Sequence, residues 1–154
     1  MPLEIERKFL VVSDDYKINS KSVDIKQAYL SVGRNMAIRV RIEGIQASLN
    51  IKSKKTERTN HEFEYIIPLD ETQSLIKMSP YHIIEKTRYI VEYEGKIWEV
   101  DEFHSSNKGL TVAEIELDEE NELFTKPSWL GKEVTADYRY LNSNLAEKPF
   151  SSWR

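Results

Sequence analysis

The chain of 154 residues contains no cysteine, which removes a disulfide framework, a thiolate nucleophile and any zinc site built on Cys. That fits a reducing compartment, and the cytoplasm is the expected location. No apolar run approaches the roughly eighteen residues that a membrane span needs. The opening MPLEIERKFL is charged from its fourth residue, so neither a transmembrane helix nor a signal peptide is expected. No serine sits in a GxSxG turn and no glycine-rich loop precedes a helix, which excludes serine hydrolase and P-loop chemistry. His61, His82 and His104 lack HxH or HxxxH spacing, which argues against a zinc site. Basic charge is not in surplus either: 22 Lys and Arg against 26 Asp and Glu leave −4, too acidic to hold duplex nucleic acid by bulk charge.

What the chain does have is 40% hydrophobic residues, enough for one domain to fold without staples. Period-two alternation runs from the start to about residue 117, and predicts strands near 2–12, 26–33, 36–43, 45–53, 61–68, 82–94, 96–103 and 109–118. Eight strands are enough for an antiparallel sheet to close into a barrel. Glu43-Gly44 and Glu94-Gly95 mark tight hairpins. A helix capped by Asp70 runs to about Met78, before Pro80, and a closing helix is expected over about 134–145. The fold class is therefore mainly β (α+β), a closed eight-stranded antiparallel barrel with a few helices outside and a C-terminal closing helix. Residues 1–147 form a single domain, and 148–154 a short frayed tail.

Each strand divides into an apolar and a charged face. Ile38, Val40 and Ile42 oppose Arg39 and Arg41, and Ala113, Ile115 and Leu117 oppose Glu114 and Glu116. A solvated face normally mixes signs, because like charges two residues apart stand only about 7 Å from each other. Here Glu4/Glu6, Arg39/Arg41, Glu62/Glu64, Lys86/Arg88 and Glu114/Glu116 are all doublets of one sign. Clustered carboxylates hold hard divalent cations and clustered Arg and Lys hold phosphate oxygens. Facing walls of opposite sign would chelate a metal–polyphosphate complex. Such walls must line a wet tunnel, since unpaired buried charges cost several kcal/mol each. The apolar faces then point outward, and a face short of helical cover makes a homodimer a reasonable assembly. Arg7 breaks the apolar face of the first strand and reads as an outer salt bridge; Trp98, Trp129 and Trp153 read as packing residues.

The opening EIERKFL, with Glu4, Glu6 and Lys8 at two-residue spacing, resembles the ExExK signature of the CYTH, or triphosphate tunnel metalloenzyme, family. QAYL at 27–30, IRVRI at 38–42, the lysine of NIKS, EFEY at 62–65, KTRY at 86–89, VDEF at 100–103, AEIEL at 113–117 and GKEVTADYRYLN at 131–142 follow in the family's order. The resemblance implies a tunnel barrel that hydrolyses inorganic triphosphate with Mg²⁺ or Mn²⁺. Carried over by position, it implies that Arg39, Arg41, Lys52, Lys86 and Arg88 bind phosphates, with Arg139 reaching in from the closing helix. Glu4, Glu6, Glu114 and Glu116 would hold metal, directly or through water, with Glu62, Glu64 and Asp101 completing the acidic wall. Lys8 and Tyr29 would position or deprotonate the attacking water, a buried lysine beside other cations losing its proton more easily. Alternatives within the resemblance are a class IV adenylate cyclase and a non-catalytic module that binds polyphosphate or nucleotide.

Overall fold

A computed structural model describes residues 2–153; Met1, and Arg154 at the end of the expected tail, lie outside the described residues. The strands are β1 (Leu3–Val11), β2 (Lys21–Val32), β3 (Met36–Glu43), β4 (Gln46–Lys54), β5 (Thr59–Ile67), β6 (Ile84–Tyr93), β7 (Lys96–Phe103), β8 (Thr111–Leu117) and β9 (Leu130–Glu133). The helices are α1 (Leu69–Met78) and α2 (Asn142–Glu147). Neighbours run in the order β5-β4-β3-β2-β6-β7-β8-β1, and β1 pairs back to β5, so eight antiparallel strands close into the expected barrel. The closing seam is short, from Leu3↔His61 to Ile5↔Thr59. Beyond it β9 takes over that edge of β1 at Phe9 and Val11.

The alternation read from sequence sets the two faces. Arg39, Arg41, Lys86, Arg88, Asp101 and Glu114 turn inward, while Val40, Val91, Trp98, Val100, Ala113 and Ile115 pack outward under covering segments. Helices are few, so the cover is mostly irregular chain. Ile76 and Leu75 of α1 sit on Ala28, Val40 and Leu49. Phe124 and Trp129 from the connection before β9, with Tyr16 from a 3-10 turn at Asp15–Lys17, cover the face around Trp98. The row Ile38–Ile51–Phe63, in register across β3, β4 and β5, stays half-buried.

Trp98 is fully buried and meets Phe9, Phe124 and Trp129 edge to face at ring distances of 5.7, 5.5 and 5.7 Å. Its indole N–H has no partner among the described residues. Trp98→Ala should therefore cost about 3–5 kcal/mol in denaturant unfolding. Trp98→Phe, which removes the unpaired donor as well as some volume, should cost clearly less; equal losses would mean that ring packing is not what Trp98 supplies.

Three expectations need correction. No helix spans 134–145: β9 adds Leu130–Glu133 to β1, a 3-10 turn follows at Tyr138–Tyr140, and α2 begins only at Asn142. The cause is local, since Val134, Thr135 and Asp137 all favour extended or turn backbone. Thr135 Oγ1 accepts from the Lys8 backbone N–H at 3.0 Å, and Asp137 accepts from the Arg139 N–H at 3.2 Å. Asp70 does not cap α1, whose first residue is Leu69 and which follows Pro68. Residues 149–153 are not frayed, because Phe150 and Trp153 pack with Tyr140 over a cluster that includes Phe103 and Leu145.

Candidate active site

Inside the barrel the charged faces enclose a cavity of about 430 Å³. Register decides who meets whom. Lys8 stands opposite Glu114 and Glu6 opposite Glu116 across β1 and β8. Lys52 faces Glu62 and Asn50 faces Glu64 across β4 and β5. Arg39 lies beside Tyr29, Arg41 beside Gln27, and Arg88 beside Asp101. The interior is not ionic throughout: inward-facing Leu10, Ile84, Phe103 and Val112 meet Leu145 and Ala146 of α2 and fill one part of the barrel with apolar side chains.

Nearly every cation is already paired. Lys8 Nζ is 3.3 Å from Glu114, Arg39 3.7 Å from Glu62, Lys52 2.9 Å from Glu4, and Lys86 2.8 Å from Asp101. Arg88 grips Asp101 with two hydrogen bonds of 2.8 and 2.9 Å and lies 3.3 Å from Glu99. Arg41 is the exception among the cations shielded from solvent: no carboxylate lies within 4.0 Å of it among the described residues, and only its Nε is engaged, by Gln27 Oε1 at 3.1 Å, while Arg34 and Lys54, which also line the cavity without a carboxylate partner, are exposed. Burial and then Arg39 and Arg88 pull its pKa down to about 10. A half-buried guanidinium with free terminal N–H groups, repelled by its neighbours, is suited to an anionic ligand.

The barrel and the sequence that builds it are matched in known proteins. The profile of the CYTH domain covers residues 2–149. This chain belongs to the CYTH family. An inorganic triphosphatase of Acetivibrio thermocellus is 43% identical to it over 155 residues, spanning 100% of this chain and 99% of that protein. An inorganic triphosphatase of Nitrosomonas europaea is 32% identical, spanning 93% and 96%. A solved structure of an inorganic triphosphatase superposes with a TM-score of 0.70 at 32% identity, over 92% of this chain and 96% of that one.

CYTH membership implies a divalent cation, and the acidic side of this chain fits one. Burial, then Glu114, drive the Glu6 carboxyl up to about 8, and burial also raises Glu4 and Glu116. These are hard oxygen donors crowded beyond what their lysines compensate. Among the described residues no three of them converge on one point as a finished cage. Mg²⁺ does not require that, since it is commonly held by one or two carboxylates, waters and the phosphates of a substrate.

Some expectations for the CYTH site change in the structure. Arg139 does not line the cavity; it lies outside, half-exposed, bonded to Asp137 at 2.6 Å and stacked over Tyr140 and Trp153. The 3-10 turn that replaces the expected helix points it away. Asp101 is consumed by Arg88 and Lys86, which pull it down to about 2 against the burial that raises it. Lys8 is not the easily deprotonated lysine: burial disfavours its charge, but Glu114 and Glu6 outweigh that and its pKa is raised. The lowered lysine is Lys86. Burial, with Arg88 and Arg41 close by, brings it to about 7 although Asp101 is adjacent, because that carboxylate is held on both oxygens by Arg88. Arg7, as read from sequence, is an outer pair, bonded to Glu133 at 2.6 and 2.8 Å.

The structure also adds residues. Glu99 lines the cavity beside Arg88, and its sequence signal is Glu99/Asp101, one more doublet of like sign. Asn50, Thr135 and Asn142 reach the lining as well. Asn50 shares its strand face with Ser48, Lys52 and Lys54, whereas Thr135 and Asn142 come from the segment whose backbone alternation did not foretell.

Proposed function

We propose that this CYTH chain hydrolyses inorganic triphosphate to pyrophosphate and phosphate, using Mg²⁺ or Mn²⁺, in the cytoplasm. The observation that carries the reading is Arg41, a half-buried cation without a counter-charge, set among Lys8, Arg39, Lys52, Lys86 and Arg88, each of which faces a carboxylate. Phosphoryl transfer spreads charge over the equatorial oxygens of the transferring group, so catalysis is mostly positioning and charge neutralisation. Arg41, Arg39 and Arg88 supply planar donors for those oxygens, and Lys52 and Lys86 supply point charges. Water oxygen forms the new bond to the terminal phosphorus, the bridging P–O bond breaks, and pyrophosphate leaves; one water hydrogen stays on the new phosphate and the other passes as a proton to the pyrophosphate. Lys8, held as an ammonium by Glu114 and Glu6, orients the water and the terminal phosphoryl by donating hydrogen bonds. Tyr29, whose register partner is Arg39, holds the opposite side. A divalent cation on Glu4, Glu6, Glu114 or Glu116, when bound, would neutralise phosphate oxygens. Glu62 and Glu64 hold Arg39 and Asn50 in place at 3.7 and 2.9 Å.

Tyr29 is the sole aromatic ring among the described residues that line the cavity, and nothing there offers a platform for adenine. The preference is accordingly for a bare phosphate chain. Incubation of the purified chain with triphosphate and Mg²⁺ should release phosphate and pyrophosphate in equal amounts, and faster than phosphate from ATP. Cyclic AMP formed from ATP, without phosphate release from triphosphate, would overturn the reading.

A further inference from the structure

Asn142 is the first residue of α2 and the only part of that helix whose side chain hydrogen-bonds to the ionic walls. Its Oδ1 accepts from Lys86 Nζ at 3.0 Å and from Gln27 Nε2 at 3.0 Å. Gln27, fully buried, in turn accepts Arg41 Nε on its Oε1 at 3.1 Å. The direction of this chain is fixed from the Arg41 end, because a guanidinium can only donate. Asn142 must therefore present its oxygen, and Gln27 must turn its amide nitrogen toward Asn142 and its oxygen toward Arg41. One carboxamide is the acceptor on which two phosphate-facing cations are hung. Arg41, held from behind through Nε, keeps its terminal N–H groups for the cavity. Lys86, held by Asp101 and Asn142, keeps one N–H.

The anchor itself is firm. Leu145 and Ala146 are buried against Ile84 and Phe103, and the Ala146 carbonyl accepts from the His82 N–H at 2.9 Å. We infer that Asn142 is a positioning residue of the phosphate site: it aims Lys86 directly and Arg41 through Gln27. This rests on the triphosphatase reading above.

The test uses the full chain carrying Asn142→Ala and Asn142→Asp. Without the acceptor, Asn142→Ala should raise KM for triphosphate at saturating Mg²⁺ by about tenfold, the lower end of what a hydrogen bond to a charged group supplies, with kcat changing less. Asn142→Asp keeps the shape and adds a second carboxylate beside Lys86. The groups facing that ammonium are then Asp101 and Asp at 142, which favour its charge, with Arg88 and Arg41 against and Glu114 further off in favour. In the wild type Lys86 loses its proton as pH rises past about 7, so KM climbs on the alkaline side. In Asn142→Asp that climb should begin at least about one pH unit higher, while the ionisation of triphosphate itself is common to both proteins. Calorimetric affinity for triphosphate gives a readout apart from turnover and should fall about tenfold in Asn142→Ala. Unchanged KM, affinity and pH profile in both variants, with at most a lower melting temperature, would overturn the inference. A wild type that binds triphosphate without hydrolysing it would overturn the functional reading instead, and the affinities would still decide the role of Asn142.

Discussion

Replacing Arg41 by alanine is expected to lower kcat/KM for triphosphate by about 100- to 1,000-fold, the effect of removing one preorganised donor to a developing charge. The fold should remain about as stable as the wild type, because relief of repulsion offsets the buried Gln27 Oε1 that loses its donor. Both halves follow from one geometry. Arg41 has no carboxylate within 4.0 Å among the described residues, so its loss strands no counter-charge. What it does contribute to the folded state is repulsion with Arg39 and Arg88, on top of the cost of burial. Arg88→Ala is the contrasting variant. It leaves Asp101, fully buried and bonded on both oxygens, with Lys86 alone, and removal of one partner from a buried pair costs about 3–5 kcal/mol. Steady-state kinetics beside thermal unfolding separates the two. If Arg41→Ala melts well below the wild type, Arg41 belongs to the structural network and the anion site lies elsewhere.

The contrast between these two arginines also marks how far the sequence could be read. Arg39/Arg41 and Lys86/Arg88 are alike on paper, doublets of one sign on an amphipathic strand. Alternation put both doublets on the face opposite Val40 and Val91, because a shift of one residue would exchange the two faces, and it was the matching signs that turned that face inward. The roles of individual charges were not legible, since they depend on the facing strand. Arg88 is neutralised because β7 brings Asp101 opposite, and Arg41 is not because β2 brings Gln27. The same dependence moved the low-pKa lysine from Lys8 to Lys86: two-residue spacing shows Glu4 and Glu6 near Lys8, but Glu114 arrives only through the pairing of β1 with β8. Arg139 failed for a different reason. Its side-chain direction hangs on local backbone, and Asp137 two residues earlier converts a helix-like pattern into a 3-10 turn that faces solvent. β9 could not be seen in periodicity because four residues are too few to establish a period.

Removal of divalent cations with EDTA should abolish triphosphate hydrolysis, and added Mg²⁺ should restore it. This is the second large effect expected, and the crowding of carboxylates on β1 and β8 makes it separable from general loss of structure. Glu6 faces Glu116 in register and lies near Glu114 and Glu4, and half-buried like charges this close weaken the fold unless a cation or proton intervenes. Glu6→Gln should therefore raise the melting temperature of the metal-free protein while increasing the Mg²⁺ concentration needed for half-maximal activity about tenfold or more. Glu114→Gln should behave otherwise. It takes the partner 3.3 Å away from a buried Lys8, so stability should fall with activity whatever the Mg²⁺ concentration. Melting curves with EDTA, and Mg²⁺ titrations of initial rate, read both. A stabilised Glu6→Gln that retains the wild-type Mg²⁺ requirement would remove Glu6 from the metal site and leave it a carboxyl kept for the phosphate-binding cations alone. Activity that survives chelation in the wild type would shift the whole burden of charge neutralisation onto Arg41 and its neighbours.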